Sequence, residues 1–345
     1  MRVIFIFLLS IAFFIGCKND KEMKFSDFVD VDKIKKVKII KDSTSFTLSK
    51  EQLEKFKKDI SSLQHDSSAF ISDSSIRIRI TMEDKDYYIS SDKDAEYFDV
   101  SRELIAKNKP DVNTSIFEMG NFDLKEYKPK NKLKLYAISG LGVDSRVFKE
   151  LELECELIPL EWIEPYENES LQSYSMRLAE SINQSEEYGI LGVSFGGLVA
   201  TEISKKLNPK LTVLVSTAET KDGLTKLFKL IGKYDMNDYL STNMYDPPKR
   251  LSYFMFGTDN KQELDAILDD TDLSFTKWAV DKLVNWENET KLETVIHICG
   301  TDDRIFPPTE SKNLHLIEDG GHFMIVDKAK EVSAIINAFI DQKSQ

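Results

Sequence analysis

The sequence predicts an α/β fold: a mostly parallel sheet with a helical insertion, preceded by a small α+β N-terminal domain. Three observations carry this. From residue 132 onward, short apolar runs of strand length alternate with amphipathic helical stretches, the rhythm of a parallel sheet with crossover helices. Within that rhythm, residues 188–201 read YGILGVSFGGLVAT, an apolar strand joined to a helix by a glycine-flanked serine. Between about 218 and 290 the rhythm breaks, and helical patterns rich in aromatic residues take its place.

The 345 residues are 41% hydrophobic and 30% charged, a globular composition long enough for two domains. A formal net charge of −13 argues against a nucleic-acid partner, and the acidic residues are spread as solvated faces. The N-terminus stands apart. Arg2 precedes the apolar run VIFIFLLSIAFFIG, which is too short for an ordinary membrane span and suits a secretory signal over residues 1–16. Phe14-Ile15-Gly16-Cys17 resembles a bacterial lipobox, with Phe14 in place of the usual leucine. The resemblance implies cleavage before Cys17, lipidation of that cysteine, a polar tether over 17–23 and an exported protein anchored to a membrane of a bacterial cell envelope. The alternative is an uncleaved N-terminal anchor helix. Cys155 and Cys299 sit in apolar strand-like runs and read as small buried core residues without a disulfide.

Residues 24–125 form the accessory domain. Val37, Ile39, Phe46 and Leu48 suggest two strands across the polar turn 42–45. Ser49 is a plausible N-cap for an amphipathic helix with Leu53, Phe56, Ile60 and Leu63 on one face. Ile76, Ile78 and Ile80 alternate with Arg77, Arg79 and Thr81, as in a half-buried strand, and Tyr87-Tyr88-Ile89 starts its return. A short helix is expected near 101–107. His65 lies in a Ser/Asp-rich stretch and reads as a surface loop histidine; residues 108–131 read as a connector.

The second domain spans 132–343. LKLYAIS is its first strand, followed by the loop Ser139-Gly140-Leu141-Gly142-Val143-Asp144. That loop lacks the G-x-G-x-x-G and G-K-[ST] patterns of phosphate binding. Next come a strand at 155–160, a helix capped by Ser170, the Ser194 unit and a strand at 211–215. The helical insertion at about 218–290 carries Phe228, Ile231, Tyr234, Tyr239, Leu240, Tyr253, Phe254, Phe256, Phe275, Trp278 and Trp286. Most of these are expected to form the insertion's own core, and a minority to face a pocket at Ser194. The sheet resumes at 294–299, then come GTDDRIFP, a strand at 314–317, the loop EDGGHF and a final helix from about Lys328 to Ile340.

Gly192-Val193-Ser194-Phe195-Gly196 is a G-x-S-x-G turn between strand and helix. Such a turn is so sharp that the flanking residues must be small. It lifts the Ser194 hydroxyl clear of the sheet and aims the Phe195 N–H at a reacting oxygen. The alternative is a glycine-rich turn whose serine only caps the helix. With SGLGVD before it and GTDDRIFP and GGHF after it, each in the right order and context, residues 132–343 resemble the α/β-hydrolase family. The resemblance implies Ser194 as nucleophile, His322 as general base and a carboxylate that orients it. Alignment of GTDDRIFP with the family pattern places that carboxylate at Asp303, with Asp302 as fallback. It also implies Leu141 and Phe195 as backbone donors of an oxyanion hole, and neither cofactor nor metal. Ser139-Gly140 stands where relatives often carry His-Gly, which changes the hydrogen bonds that support the loop. His297 and His315 lie in strand runs and read as core or edge histidines.

These readings point to a serine hydrolase, carboxylesterase-like, cleaving an ester or related acyl bond of a small-molecule acyl substrate through an acyl-enzyme. The same triad also serves C–C, lactone or peptide bond cleavage and perhydrolysis, and fold does not separate these. Glu161, Glu164, Glu167 and Glu169 would form an acidic rim suited to cationic peptides, or merely a solvated loop. A non-catalytic binding or scaffold lipoprotein with a vestigial hydrolase domain is the rival from another class.

Overall fold

A computed structural model describes residues 24–41, 44–65, 74–82, 85–92, 97–100, 116–118 and 126–343. The expected signal segment, Cys17, the tether and the helix near 101–107 lie outside these residues. The chain divides into two compact units, Met1–Lys130 and Asn131–Gln345.

In the first unit, β1 (Ile34–Lys41) and β2 (Thr44–Thr47) pair antiparallel, with Ile39 opposite Phe46. Helix α1 (Lys50–Ser61) starts at Ser49 in a reciprocal cap. The Ser49 hydroxyl accepts the Gln52 N–H, and the Gln52 side chain accepts the Ser49 N–H at 3.0 Å. β3 (Gln64–His65), β4 (Ser74–Met82), β5 (Lys85–Asp92), β6 (Tyr97–Val100) and β7 (Ile116–Glu118) complete an antiparallel sheet ordered β2-β1-β4-β5-β6-β7-β3.

Three expectations change here. His65 lies in β3 opposite Phe117 rather than in a loop. The stretch expected to be only a connector supplies β7, and its Tyr127 is buried against Phe56 with its hydroxyl donating to Asp59 at 2.6 Å. Arg79, expected on a solvated face, is buried beside Asp86 at 3.5 Å. Strand alternation predicts which side a residue points to, and only tertiary packing decides whether that side is wet.

The second unit runs β8 (Asn131–Ile138), β9 (Cys155–Leu160), α2 (Leu171–Leu178), β10 (Tyr188–Val193), α3 (Phe195–Leu207) and β11 (Leu211–Val215). The helices α4 (Lys226–Lys233), α5 (Lys249–Phe256), α6 (Lys261–Leu268) and α7 (Leu273–Val284) form the insertion. Then β12 (Val295–Gly300), β13 (Leu314–Ile317), α8 (Met324–Asp327) and α9 (Ala329–Lys343) close the chain. The strands are all parallel in the order β9-β8-β10-β11-β12-β13. This is an α/β-hydrolase-type sheet.

Strand alternation splits its apolar residues between two cores. Leu135, Ala137, Leu191, Val193 and Val213 meet Val332 and Ile336 of α9 on one face. Tyr136, Ile138, Ile190 and Leu214 meet Tyr174 of α2 and Leu198 and Ile203 of α3 on the other. Cys155, in the first of these cores, and Cys299 are free and buried; burial pushes both thiols up to about 12. From β8 the chain leaves first to one side, to β9, and then to the other, to β10. The loops after β8 and β10 therefore diverge and open a crevice at the C-terminal ends of the strands.

Glu169 does not belong to an acidic rim. It is buried, and Arg177 grips it through two 2.8 Å bonds, from Nε and Nη2. The Arg177 bonds, opposed by burial and aided by the Tyr166 N–H and the Ser173 hydroxyl, hold the Glu169 carboxyl at about 2. A depressed folded-state pKa contributes stability above the unfolded value and loses it as pH falls through the folded one. Wild type should thus lose about 2 kcal/mol relative to Glu169→Gln between pH ~4.5 and ~2. Urea titrations of both proteins across that range measure it.

Candidate active site

Three loops at the strand ends supply the site. Ser194 sits between β10 and α3 with φ 53° and ψ −126°, a conformation that L-residues seldom adopt. The turn closes because nothing larger than glycine fits beside it. A Cβ on Gly196 would lie 2.1 Å from the Ser139 carbonyl oxygen, and one on Gly192 would lie 2.5 Å from that of Gly196. Ser194 is not a capping serine, since its side chain makes no cap bond to α3. Its Oγ instead lies 2.9 Å from His322 Nε2.

His322 comes from the loop after β13. Its Nδ1 lies 2.9 Å from Asp303 Oδ2 and 3.1 Å from Oδ1. An ionised carboxylate can only accept, so Nδ1 carries the proton and Nε2 is left to accept from the Ser194 hydroxyl. Asp303, in the loop after β12, is also held by the N–H groups of Ile305 and Phe306 at 2.9 and 2.8 Å. Burial pushes its carboxyl up, but the His322 charge and hydrogen bond and those two N–H groups outweigh it and hold the pKa below the usual value. Asp302 is exposed and takes no part. Ser194, His322 and Asp303 are all nearly buried, at 9%, 5% and 4% exposure, which keeps these bonds in a low-dielectric setting.

Opposite Ser194 runs the loop after β8. Gly140 lies so close that a Cβ there would meet the Ser194 Cβ at 3.1 Å. Among the described residues, the backbone N–H groups of Leu141 and Phe195 have no acceptor. The loop is tied down by means the sequence did not reveal. The buried Ser139 hydroxyl donates to the Val143 carbonyl at 2.8 Å, Trp162 Nε1 donates to the same carbonyl, and Thr271 of the insertion donates to the Gly142 carbonyl at 2.7 Å.

The insertion also braces the histidine loop. The Phe323 N–H donates to the Phe256 carbonyl at 3.0 Å, and a Cβ on Gly321 would lie 2.4 Å from the Gly257 oxygen. Phe256 packs edge-on against the His322 ring, and Phe306 stacks on it at 5.9 Å. The aromatics of the insertion are therefore not mainly a core of their own. Phe275 and Trp278 pack on Trp162 and Tyr174, Phe228 packs on Phe306, and Tyr234, Tyr239 and Phe254 are exposed. Helices of 8–12 residues are too short to enclose a core and use the sheet domain instead.

Two cavities flank the 139–143 loop and share Gly142 and Thr271 as a partition. The smaller, about 330 Å³, is lined by Leu141, Pro247, Phe256, Leu268 and Leu273, with Lys249, Asp265 and Asp269 at its polar part. It borders the triad through Leu141 and Phe256. The larger, about 670 Å³, is lined by Trp162, Phe275, Glu161 and Glu164. Ser194 lines neither.

Thr217 and His297 complete the setting. Thr217 Oγ1 donates to the Ser194 carbonyl at 2.6 Å, and His297 Nε2–H donates to the Thr217 carbonyl at 2.7 Å. His297 is a core histidine as expected from its strand, and among the described residues its buried Nδ1 has no partner. Burial lowers its pKa and keeps it neutral. His315 is exposed on β13. The only sequence signal for Thr217 was its place just past a buried strand.

No family model matches the chain, and no curated protein matches its sequence. Among solved structures it is similar to MenH from S. aureus, at 14% identity and a TM-score of 0.49, covering 64% of this chain and 98% of that one. A thermophilic esterase from Thermogutta terrifontis gives 15%, 0.49, 62% and 92%, and an esterase from Exiguobacterium antarcticum gives 16%, 0.49, 61% and 93%. At this level the likenesses carry no argument about activity or substrate.

The Thr217 brace is testable by itself. Thr217→Val should cost about 1–2 kcal/mol in denaturant melts by leaving a buried carbonyl short of a donor, whereas Thr217→Ser should stay near wild type.

Proposed function

We propose that the chain is a serine hydrolase, carboxylesterase-like, that cleaves an ester or related acyl bond. The observation that carries this is the unbroken hydrogen-bonded line from Ser194 through His322 to Asp303, beside two free backbone N–H groups. Ser194 Oγ attacks the acyl carbonyl carbon while His322 Nε2 takes its proton. Asp303 keeps the imidazole in the required tautomer and stabilises the imidazolium that forms. Leu141 and Phe195 N–H groups stabilise the negative oxygen of the tetrahedral intermediate. His322 then gives its proton to the departing alkoxide, leaving an acyl group on Ser194. Water, deprotonated by His322, attacks that ester, and the Ser194 oxygen recovers its proton. No step calls for a cofactor.

The apolar part of the 330 Å³ cavity favours a small-molecule substrate with an apolar acyl group on the Leu141 and Phe256 side. Removal of Glu169 from the acidic rim weakens the reading of a peptidase for cationic peptides. We further propose that the protein is exported and membrane-anchored through lipidated Cys17, on the strength of the N-terminal sequence.

Steady-state hydrolysis of p-nitrophenyl esters of increasing acyl length tests the function. Ser194→Ala should lower kcat by about 10⁶ and Asp303→Asn by about 10⁴, while Asp302→Asn should stay near wild type. Equal activity of wild type and Ser194→Ala would remove the proposal.

A further inference from the structure

We propose that the outer face of α4 docks onto an anionic lipid bilayer. Among the described residues, ten large apolar side chains are markedly exposed, and eight of them fall between Leu227 and Phe254. Scattered exposure needs no explanation, but such concentration marks an interaction surface. On α4 and the turn after it the pattern resolves into stripes. Phe228 and Ile231 face inward and pack on the sheet domain's core. Leu227, Leu230 and Tyr234, spaced i, i+3, i+7, form the next stripe and are 59%, 48% and 59% exposed. Lys226, Lys229 and Lys233 repeat the same spacing one residue earlier and so border that stripe on its far side. Met236 and Tyr239 extend the exposed apolar surface from the adjoining turn.

The charge pattern selects the occupant. Lys205, Lys210 and Lys221 in the same unit are each paired with a carboxylate. Among the described residues none of Lys226, Lys229 and Lys233 is; Lys229 reaches only the Asp222 backbone carbonyl. An apolar stripe edged by lysines that no carboxylate neutralises, Lys233 lying over the Tyr234 ring, matches acyl chains beneath anionic headgroups, with the lysine stems lying along the interface. A second copy with its α4 antiparallel fits badly, because that two-fold contact would bring the lysines of both copies to the same edge. The expected lipid anchor at Cys17 would keep the chain at such a surface.

The inner side of α4 is two rings from the triad: Phe228 lies 5.8 Å from Phe306, which stacks on His322. Docking would therefore hold the candidate active site at the lipid surface. The docking itself does not depend on the hydrolase reading, and Ser194→Ala should dock like wild type.

Hydrogen exchange of the full chain on vesicles tests this. Any apolar N-terminal segment meets both vesicle types alike, so the comparison is made within residues 226–239. Exchange there should be about tenfold slower on phosphatidylglycerol–phosphatidylcholine vesicles than on phosphatidylcholine alone, in wild type and Ser194→Ala. The difference should vanish in Leu227→Ser/Leu230→Ser and in Lys226→Glu/Lys229→Glu/Lys233→Glu. Equal exchange on both vesicle types would overturn the proposal. So would protection that appears without vesicles and grows with protein concentration, which would assign the stripe to a second copy.

Discussion

The backbone of Ser194 is the constraint on which the rest of the site depends. Holding a serine at φ 53° and ψ −126° costs about 1–3 kcal/mol, and it persists only where the surroundings leave no alternative. Those surroundings are visible. Gly196 lets α3 start against the carbonyls at the end of β8, and β10 runs buried between β8 and β11. The Ser194 N–H donates to the Val215 carbonyl at 3.0 Å, and its own carbonyl accepts from both Gly197 N–H and Thr217 Oγ1. With both backbone groups engaged behind it, the side chain alone is left to face the crevice.

The other two members follow from charge rather than strain. A buried carboxylate is costly unless its lone pairs are filled. Asp303 meets that cost with two backbone N–H groups and the His322 ring. The ring is then fixed in one tautomer and wedged between Phe256 and Phe306. The helical insertion contributes directly, since Thr271 holds the loop of Leu141 and Phe256 holds the loop of His322. It is therefore part of the frame that holds the Leu141 loop and the His322 loop in place, and more than a cover over the crevice.

Much of this was legible in the sequence, for identifiable reasons. G-V-S-F-G between a strand and a helix is a local signal, because the glycines are required by the turn itself. The parallel strands were legible as uninterrupted apolar runs, and α1 and α2 as capped helices. Asp303 rather than Asp302 comes from pattern alignment, and in the fold the Asp303 carboxylate turns inward and accepts from the Ile305 and Phe306 N–H groups. The supports were not legible. Thr217, Thr271 and Ser139 act through single hydrogen bonds across 23, 129 and 4 residues of sequence. Nothing in local composition distinguishes them from other hydroxyl residues. Glu169 and Arg79 are buried against expectation, because charge patterns do not show which faces become covered. The insertion's aromatics are illegible for the same reason: periodicity shows that a helix has an apolar face, and not which surface that face will meet.

The central claim is that the fold activates Ser194, and covalent labelling probes this most directly. The folded protein is incubated with a fluorophosphonate, and the modified residue is located by peptide mass spectrometry. Activation through His322 under the Leu141 and Phe195 N–H groups predicts one adduct per chain, on Ser194, and none in His322→Ala. A folded wild-type chain that forms no adduct, or forms it at another residue, would contradict the account.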